Sequence, residues 1–473
     1  MSTPYAELVL PAIRWDPDRG YDPARPDIER ALAAGVGGFV LFGGERAAMQ
    51  ALTRDLQAAA PHRLLIASDI ERGAGQQVRG LTPLPPLLAL AGLGGDAVRA
   101  AARMTARQAR DVGINWALAP VCDLDIEPAN PIVQTRSLGT DAFEVAELAA
   151  AWIQDCQDEG VLACAKHFPG HGRTTLDSHA TLPVVSAGHE LERDLMPFRR
   201  AVAAGVAAVM TAHVAFPAWD ASGAPATFSR PLLHDLLRGD LFHGGLTVTD
   251  ALIMEGALGP GVGEGAVRAL LAWCDLLCYP KDLDAALRAL GAAAAEDRGG
   301  IVDLAARSGL RRLEAVARAA EPQPLSEAEL AAGHARGAEL CAQAVRLLRG
   351  DMPRLKGAVR VDIVDDDAGG PYPLPPRSTF AEELRRLGMD VRADGTRVVL
   401  LFADVKSWKG RAGLAKASLE ALEGLLTPTT PVVLFGHPRR QVEVPHLGPV
   451  LCAWSGDEGM QRAAAGRLAE AAR

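Results

Sequence analysis

Eight short apolar runs, at residues 8–15, 38–42, 64–70, 115–124, 161–168, 207–214, 245–252 and 275–279, punctuate the first part of the chain. Amphipathic segments at 26–34, 46–59, 96–112, 142–159, 191–204, 230–237 and 263–273 separate them, and 283–295 follows the last run. A short apolar run bounded by turn residues reads as a buried strand, and a 3.6-residue period reads as a helix packed on it. About eight β-then-α units in about 300 residues is the count and length of a parallel (β/α)8 barrel. An open, doubly wound sheet is the alternative, but it rarely needs so many units in one domain.

The pattern breaks at Glu321-Pro322-Gln323-Pro324-Leu325, which reads as a linker. A helix is expected over 326–348, then apolar runs at 359–364, 397–402, 431–435 and 449–453, which make a smaller α/β domain. A chain of 473 residues exceeds one ordinary core. The expected division is a barrel over 1–320, a linker and connecting helix over 321–350, and the small domain over 351–473. The Asp365-Asp366-Asp367 cluster reads as a solvated strand end rather than a metal site.

A net charge of −9 argues against nucleic acid and acidic membranes as partners and fits a neutral substrate. The first residues lack a basic stretch before an apolar one, and no run is long enough to span a bilayer, so a cytoplasmic protein is expected. Seven scattered cysteines, an odd number, read as free buried thiols, and Cys274 and Cys278 lack a second pair at zinc-site spacing.

Polar residues collect where the apolar runs end: Asp69 and Glu71, Asp123 and Asp125, Lys166 and His167, His213, and Asp250. Barrel active sites sit at that face. The densest stretch, residues 166–179, packs two cations, three histidines and a carboxylate around a Pro-Gly pair. Asp250 ends a β-branched run, and reads either as a carboxylate in the barrel mouth or as a helix N-cap. Asp177 and His179 face the same way on an extended loop, where the carboxylate can hold one imidazole nitrogen and leave the other as acid then base; a structural Asx-turn is the competing reading. Zinc is the rival for His167, His171, His179 and Asp177, but Pro169 and Gly170 rule against a helical His pair. Residues 259–265 resemble a phosphate loop only loosely, without a Walker lysine, and read as a connector.

The KHFPGHG segment from Lys166, the DSH from Asp177 and the TDALIMEG from Thr249 resemble the family 3 glycoside hydrolases, most closely the β-N-acetylglucosaminidases of bacterial cell-wall recycling. Further matches fall in the family's order: GVGGFVLFGG from Gly35, ASDIERGAGQQVRG from Ala67, APVCDLD from Ala119, TRSLGTD from Thr135 and MTAHVAFP from Met210. The resemblance covers about residues 5–300. It implies that Asp250 is the nucleophile, His179 the acid/base and Asp177 its partner. It places Asp69, Arg136, Lys166 and His167 on the terminal sugar's hydroxyls and N-acetyl group, with His213 nearby. It also implies an α/β sandwich for the second domain.

Two loops depart from the family pattern. The third-strand loop, from Asp69, is longer than the usual DxEGG form, so Arg79 does not carry over. Phe42-Gly43-Gly44-Glu45 replaces an asparagine-bearing loop, which leaves the second sugar subsite open. The expected protein is a retaining exo-β-N-acetylglucosaminidase acting on a small carbohydrate without metal or cofactor, as a monomer or homodimer. A β-glucosidase or a phosphorylase of the same family is the alternative, and a catalytically silent sugar-binding protein is the non-enzymatic one.

Overall fold

The computed structural model describes residues 5–186, 188, 190–258, 261, 263–352, 355, 357–370, 374–406, 409–445 and 448–472. Residues 259, 260 and 262 of the connector segment lie outside them.

The chain folds as an α/β protein built on parallel sheets. Its first nine strand segments are β1 (Val9–Leu10), β2 (Ala12–Arg14), β3 (Gly38–Phe42), β4 (Leu65–Ser68), β5 (Trp116–Ala117), β6 (Cys164–Phe168), β7 (Ala208–Thr211), β8 (Leu246–Val248) and β9 (Leu277–Cys278). Parallel pairing joins β2-β3-β4-β5, β6-β7-β8 and β1-β9. Single parallel bridges, Trp116 to Leu162 and Val248 to Leu276, lie between these sets. Pro11, which has no N–H to donate, separates β1 from β2. The fourth run is strand only at Trp116–Ala117, shorter than the expected 115–124, and Pro120 follows it.

The helices bury one face against these strands. In Gly95–Asp111 the buried positions Ala97, Val98, Ala101, Ala102, Thr105, Ala106 and Ala109 recur at three- and four-residue spacing. Local chemistry sets several ends. Asp141 accepts the N–H groups of Phe143 and Glu144 to start Ala142–Asp158. Gly35, at φ 86°, closes Arg25–Ala34 with bonds to Ala31 and Leu32 carbonyls.

Beyond the Pro-rich segment, Ser326 and Glu329 form a capping box that opens the helix Glu327–Ala344. That helix stops short of the expected 348. Arg346–Arg349 is strand β10 instead, antiparallel to β14, because Val345 turns extended and Arg346 and Leu347 pair with Cys452 and Leu451. The remaining strands are β11 (Val359–Asp365), β12 (Thr396–Ala403), β13 (Val432–Gly436) and β14 (Val450–Cys452), in the order β10-β14-β13-β12-β11. Both faces of its central strands are buried. Val398, Leu400 and Phe402 of β12 join one apolar cluster, and the alternating Val399, Leu401 and Ala403 join the other. Phe402 and Phe435 stack at 4.5 Å across adjacent strands.

Asp365, Asp366 and Asp367 are not a solvated strand end. Asp366 and Asp367 are buried, because Lys409 lies 2.7 Å from Asp366 and 3.3 Å from Asp367, Arg411 lies 2.8 Å from Asp366, and Arg377 pairs with Asp365 and Asp367.

Candidate active site

A cleft with a cavity volume of about 340 Å³ opens where the strands of the first part end. β4 delivers Asp69 to it, β6 delivers Lys166 and His167, and the residues after β8 deliver Asp250. Arg136 reaches in from the turn Gln134–Arg136, and His179 from the loop after β6.

One wall is a buried ionic network. The Lys166 ammonium lies 2.7 Å from Asp69 and 2.8 Å from Glu71. Arg136 grips Glu71 through two bonds, of 3.0 and 2.7 Å. Burial alone would raise the Glu71 carboxyl, but Arg136 and then Lys166 outweigh it and hold Glu71 well below the usual carboxylate range. Burial likewise works to lower Lys166, and Asp69 and Glu71 outweigh it and raise it. Glu71 and Lys166 therefore both carry their charges in the wall of the cleft.

Behind it, Asp123 organises the start of the His-rich loop. Its Oδ2 lies 2.7 Å from His167 Nδ1, and its Oδ1 accepts the His171 N–H at 2.6 Å. Burial would raise this carboxyl, and His167 holds it low. His167 itself lines the cleft.

Asp250 stands at the cleft floor, its Oδ1 accepting the Ala251 N–H at 2.7 Å. The helix Glu255–Leu258 begins only after an intervening turn, so Asp250 is not that helix's N-cap. Burial pushes its carboxyl up, but His167, His213 and His179 bring it down to about 2. It is a carboxylate at every pH where a histidine can work as acid and base.

Asp177 and His179 form a pair. Asp177 Oδ1 accepts the His179 backbone N–H at 2.8 Å and meets His179 Nδ1 at 2.7 Å. The Asx-turn and the ring-holding carboxylate, separate readings of the sequence, thus coexist in one oxygen. Asp177 is 2% exposed and His179 42%, so the carboxylate is enclosed while the ring faces the opening.

Of the residues expected to hold sugar, Asp69, Arg136, Lys166 and His167 line the cleft. His213 is fully buried, its Nδ1 2.7 Å from Thr227 Oγ1 and its Nε2 3.1 Å from the Ala251 carbonyl. It braces the segment carrying Asp250. Arg79 turns away from the cleft to pair with Glu45 at 2.8 Å. His167 Nδ1 meets Asp123, the two ring nitrogens of His171 meet Thr174 and Ser178, and no three His, Cys, Asp or Glu side chains among the described residues converge as metal ligands.

Sequence reasoning did not place Arg72, His171, Ser178 or Tyr279 in the cleft, nor Asp404, Val405 and Lys406 after β12. For Asp404 a signal existed: it follows an apolar run, as Asp69 and Asp250 do. The Arg72 guanidinium spans 3.2 Å to Asp404 and 3.0 Å to Asp457.

A carboxylate held ionised and a carboxylate–imidazole pair at one polar cleft are the equipment that glycoside cleavage requires. The glycosyl hydrolase family 3 N-terminal domain model matches residues 18–302. The chain belongs to glycoside hydrolase family 3. It is 38% identical over 262 residues to a β-N-acetylglucosaminidase/β-glucosidase of Cellulomonas fimi, a match covering 53% of this chain and 46%, about half, of that protein. It is 38% identical over 264 residues to a β-hexosaminidase of Thiobacillus denitrificans, covering 52% of this chain and 73% of the relative. Its fold is similar to that of a family 3 β-N-acetylglucosaminidase from Paenibacillus sp. str. FPU-7, with a TM-score of 0.84 and 30% identity over 99% of this chain and 96% of that one.

Proposed function

We propose that this protein is a retaining exo-β-N-acetylglucosaminidase that removes terminal β-linked N-acetylglucosamine from cell-wall or chitin-derived fragments. The observation that carries this reading is the Asp177–His179 pair opening on the same cleft as Asp250. Asp250 attacks the anomeric carbon as His179 gives its proton to the leaving oxygen. The neutral imidazole then takes a proton from water, whose oxygen displaces Asp250 from the glycosyl-enzyme. Asp177 stabilises the imidazolium form that exists before the first step and after the second. Asp69, Arg136, Lys166 and His167 hold the sugar's hydroxyls and N-acetyl group. The named relatives act on this substrate class, which supports the reading.

In the same reading, the parallel strands β1–β9 are arcs of one (β/α)8 barrel over residues 1–320. Residues 321–350 connect it to an α/β sandwich domain over 351–473, and the protein works in the cytoplasm as a monomer or homodimer. The rival donor is Asp404, which also lines the cleft. Burial would raise its carboxyl, but Lys406 and Arg72 hold it below the usual range, so it has no proton to give near neutrality.

Aryl β-N-acetylglucosaminide and aryl β-glucoside, each with and without phosphate, test the assignment. The former should be hydrolysed with the far higher kcat/KM. Comparable values would favour a β-glucosidase, and sugar 1-phosphate as the main product a phosphorylase.

A further inference from the structure

His171 has no part in the steps above, yet it is 1% exposed in the wall of the cleft and both its ring nitrogens are bonded. Its backbone N–H is held by Asp123 at 2.6 Å. The Thr174 hydroxyl donates to the His171 carbonyl at 3.1 Å and accepts from Asn130 at 3.2 Å. The same hydroxyl meets His171 Nδ1 at 2.7 Å. Burial lowers this imidazole to about 4, which keeps it neutral. Its Nε2 lies 3.0 Å from the Ser178 hydroxyl, so the ring bridges the two hydroxyls, one nitrogen donating and the other accepting.

Ser178 lies between Asp177 and His179 and is itself buried. Its carbonyl accepts the Gly256 N–H at 3.2 Å, and the His179 carbonyl accepts the Glu255 N–H at 3.4 Å. The loop is thus tied on one side to the segment that follows Asp250. On the other side its side-chain contact with the wall is the Ser178–His171 bond.

We propose that His171 is a positioning residue of this site: through the hydrogen bond between its Nε2 and the Ser178 hydroxyl it docks the loop bearing Asp177 and His179 against the cleft wall that also holds His167. The proposal rests on the reading of His179 as the acid/base. Asp123 then serves as a common anchor, gripping the His167 ring and the His171 backbone with one carboxylate. An alignment device of this kind acts on the proton-transfer geometry, where small displacements are costly.

The test is a double-mutant cycle read with aryl N-acetylglucosaminides of good and poor leaving ability. Ser178→Ala should cost the poor leaving groups at least about 10-fold more in kcat/KM than the activated ones, and should add almost nothing in a His179→Ala background. His171→Asn, which keeps a polar group near Thr174 and lacks Nε2, should reproduce that pattern; if it does not fold, Ser178→Ala decides alone. Losses that are equal for all leaving groups, or that multiply with those of His179→Ala, would overturn the proposal and reduce the bond to a packing contact. If His179→Ala itself slows all leaving groups equally, the acid/base assignment fails first and the docking role falls with it.

Discussion

Arg72 and Asp404 stand 332 positions apart in sequence and 3.2 Å apart in the molecule. Their ion pair, extended to Asp457 at 3.0 Å, fastens the loop after β4 to the end of β12. Asp404 is 4% exposed at its side chain and Arg72 19%, so neither charge has water enough to stand alone. Arg72→Met should cost about 3 kcal/mol of stability, as removal of one partner of an enclosed pair does. It should also raise KM, because Arg72, Asp404 and Lys406 all line the cleft. Urea denaturation and steady-state kinetics measure both. A loss under about 0.5 kcal/mol would class the bridge with ordinary surface pairs.

Asp250→Ala should abolish turnover by several orders of magnitude with the circular dichroism spectrum unchanged. A 5-fluoro N-acetylglucosaminide or a 2-deoxy-2-fluoro glucoside should label the wild type covalently, and peptide mapping should place the sugar on Asp250. A label on Asp404 or Asp69 would move the nucleophile.

His243 predicts a pH dependence of stability. Its ring is 3% exposed, and burial followed by the charge of Arg238 lowers it to about 3. In the unfolded chain a histidine takes a proton near pH 6.5. Between those values the unfolded state binds more protons, so stability falls as pH drops from about 6.5 toward 3, by up to about 1.4 kcal/mol per pH unit for each such group. His171, at about 4, adds to the slope over the upper part of that window. His243→Gln should flatten the dependence of the urea midpoint on pH between 4 and 6.5 by about one proton's worth. An unchanged slope would assign the proton uptake to other groups.

Activity should survive exhaustive dialysis against a chelator. Among the described residues no three His, Cys, Asp or Glu side chains converge as ligands for a metal ion. Loss of activity that zinc restores would refute this.

Much of the site was legible because its placement is local. Apolar runs mark the strands, and the residues that end them, Asp69, Lys166, His167 and Asp250, stand in the cleft because a strand carries its last side chains to one rim. The Asp177–His179 contact spans a single intervening residue, Ser178. The edge strand Arg346–Arg349 was not legible, since a segment that continues a helical sequence became strand through pairing with Leu451 and Cys452, a hundred residues on. The aspartates 365–367 misled for a related reason: a run of like charges looks solvated until Lys409, Arg411 and Arg377 arrive from elsewhere in the chain.

The sequence by itself determined which residues could do chemistry and on which strand ends they stand, because hydrophobic period and turn composition act over a few neighbouring residues. Tertiary structure alone decided that His213 braces Asp250 from behind, that Asp123 serves two histidines at once, and that Asp404 and Lys406 join a cleft built more than a hundred residues earlier. Those outcomes depend on which buried charges find partners, and a partner is chosen by packing in space rather than by distance along the chain.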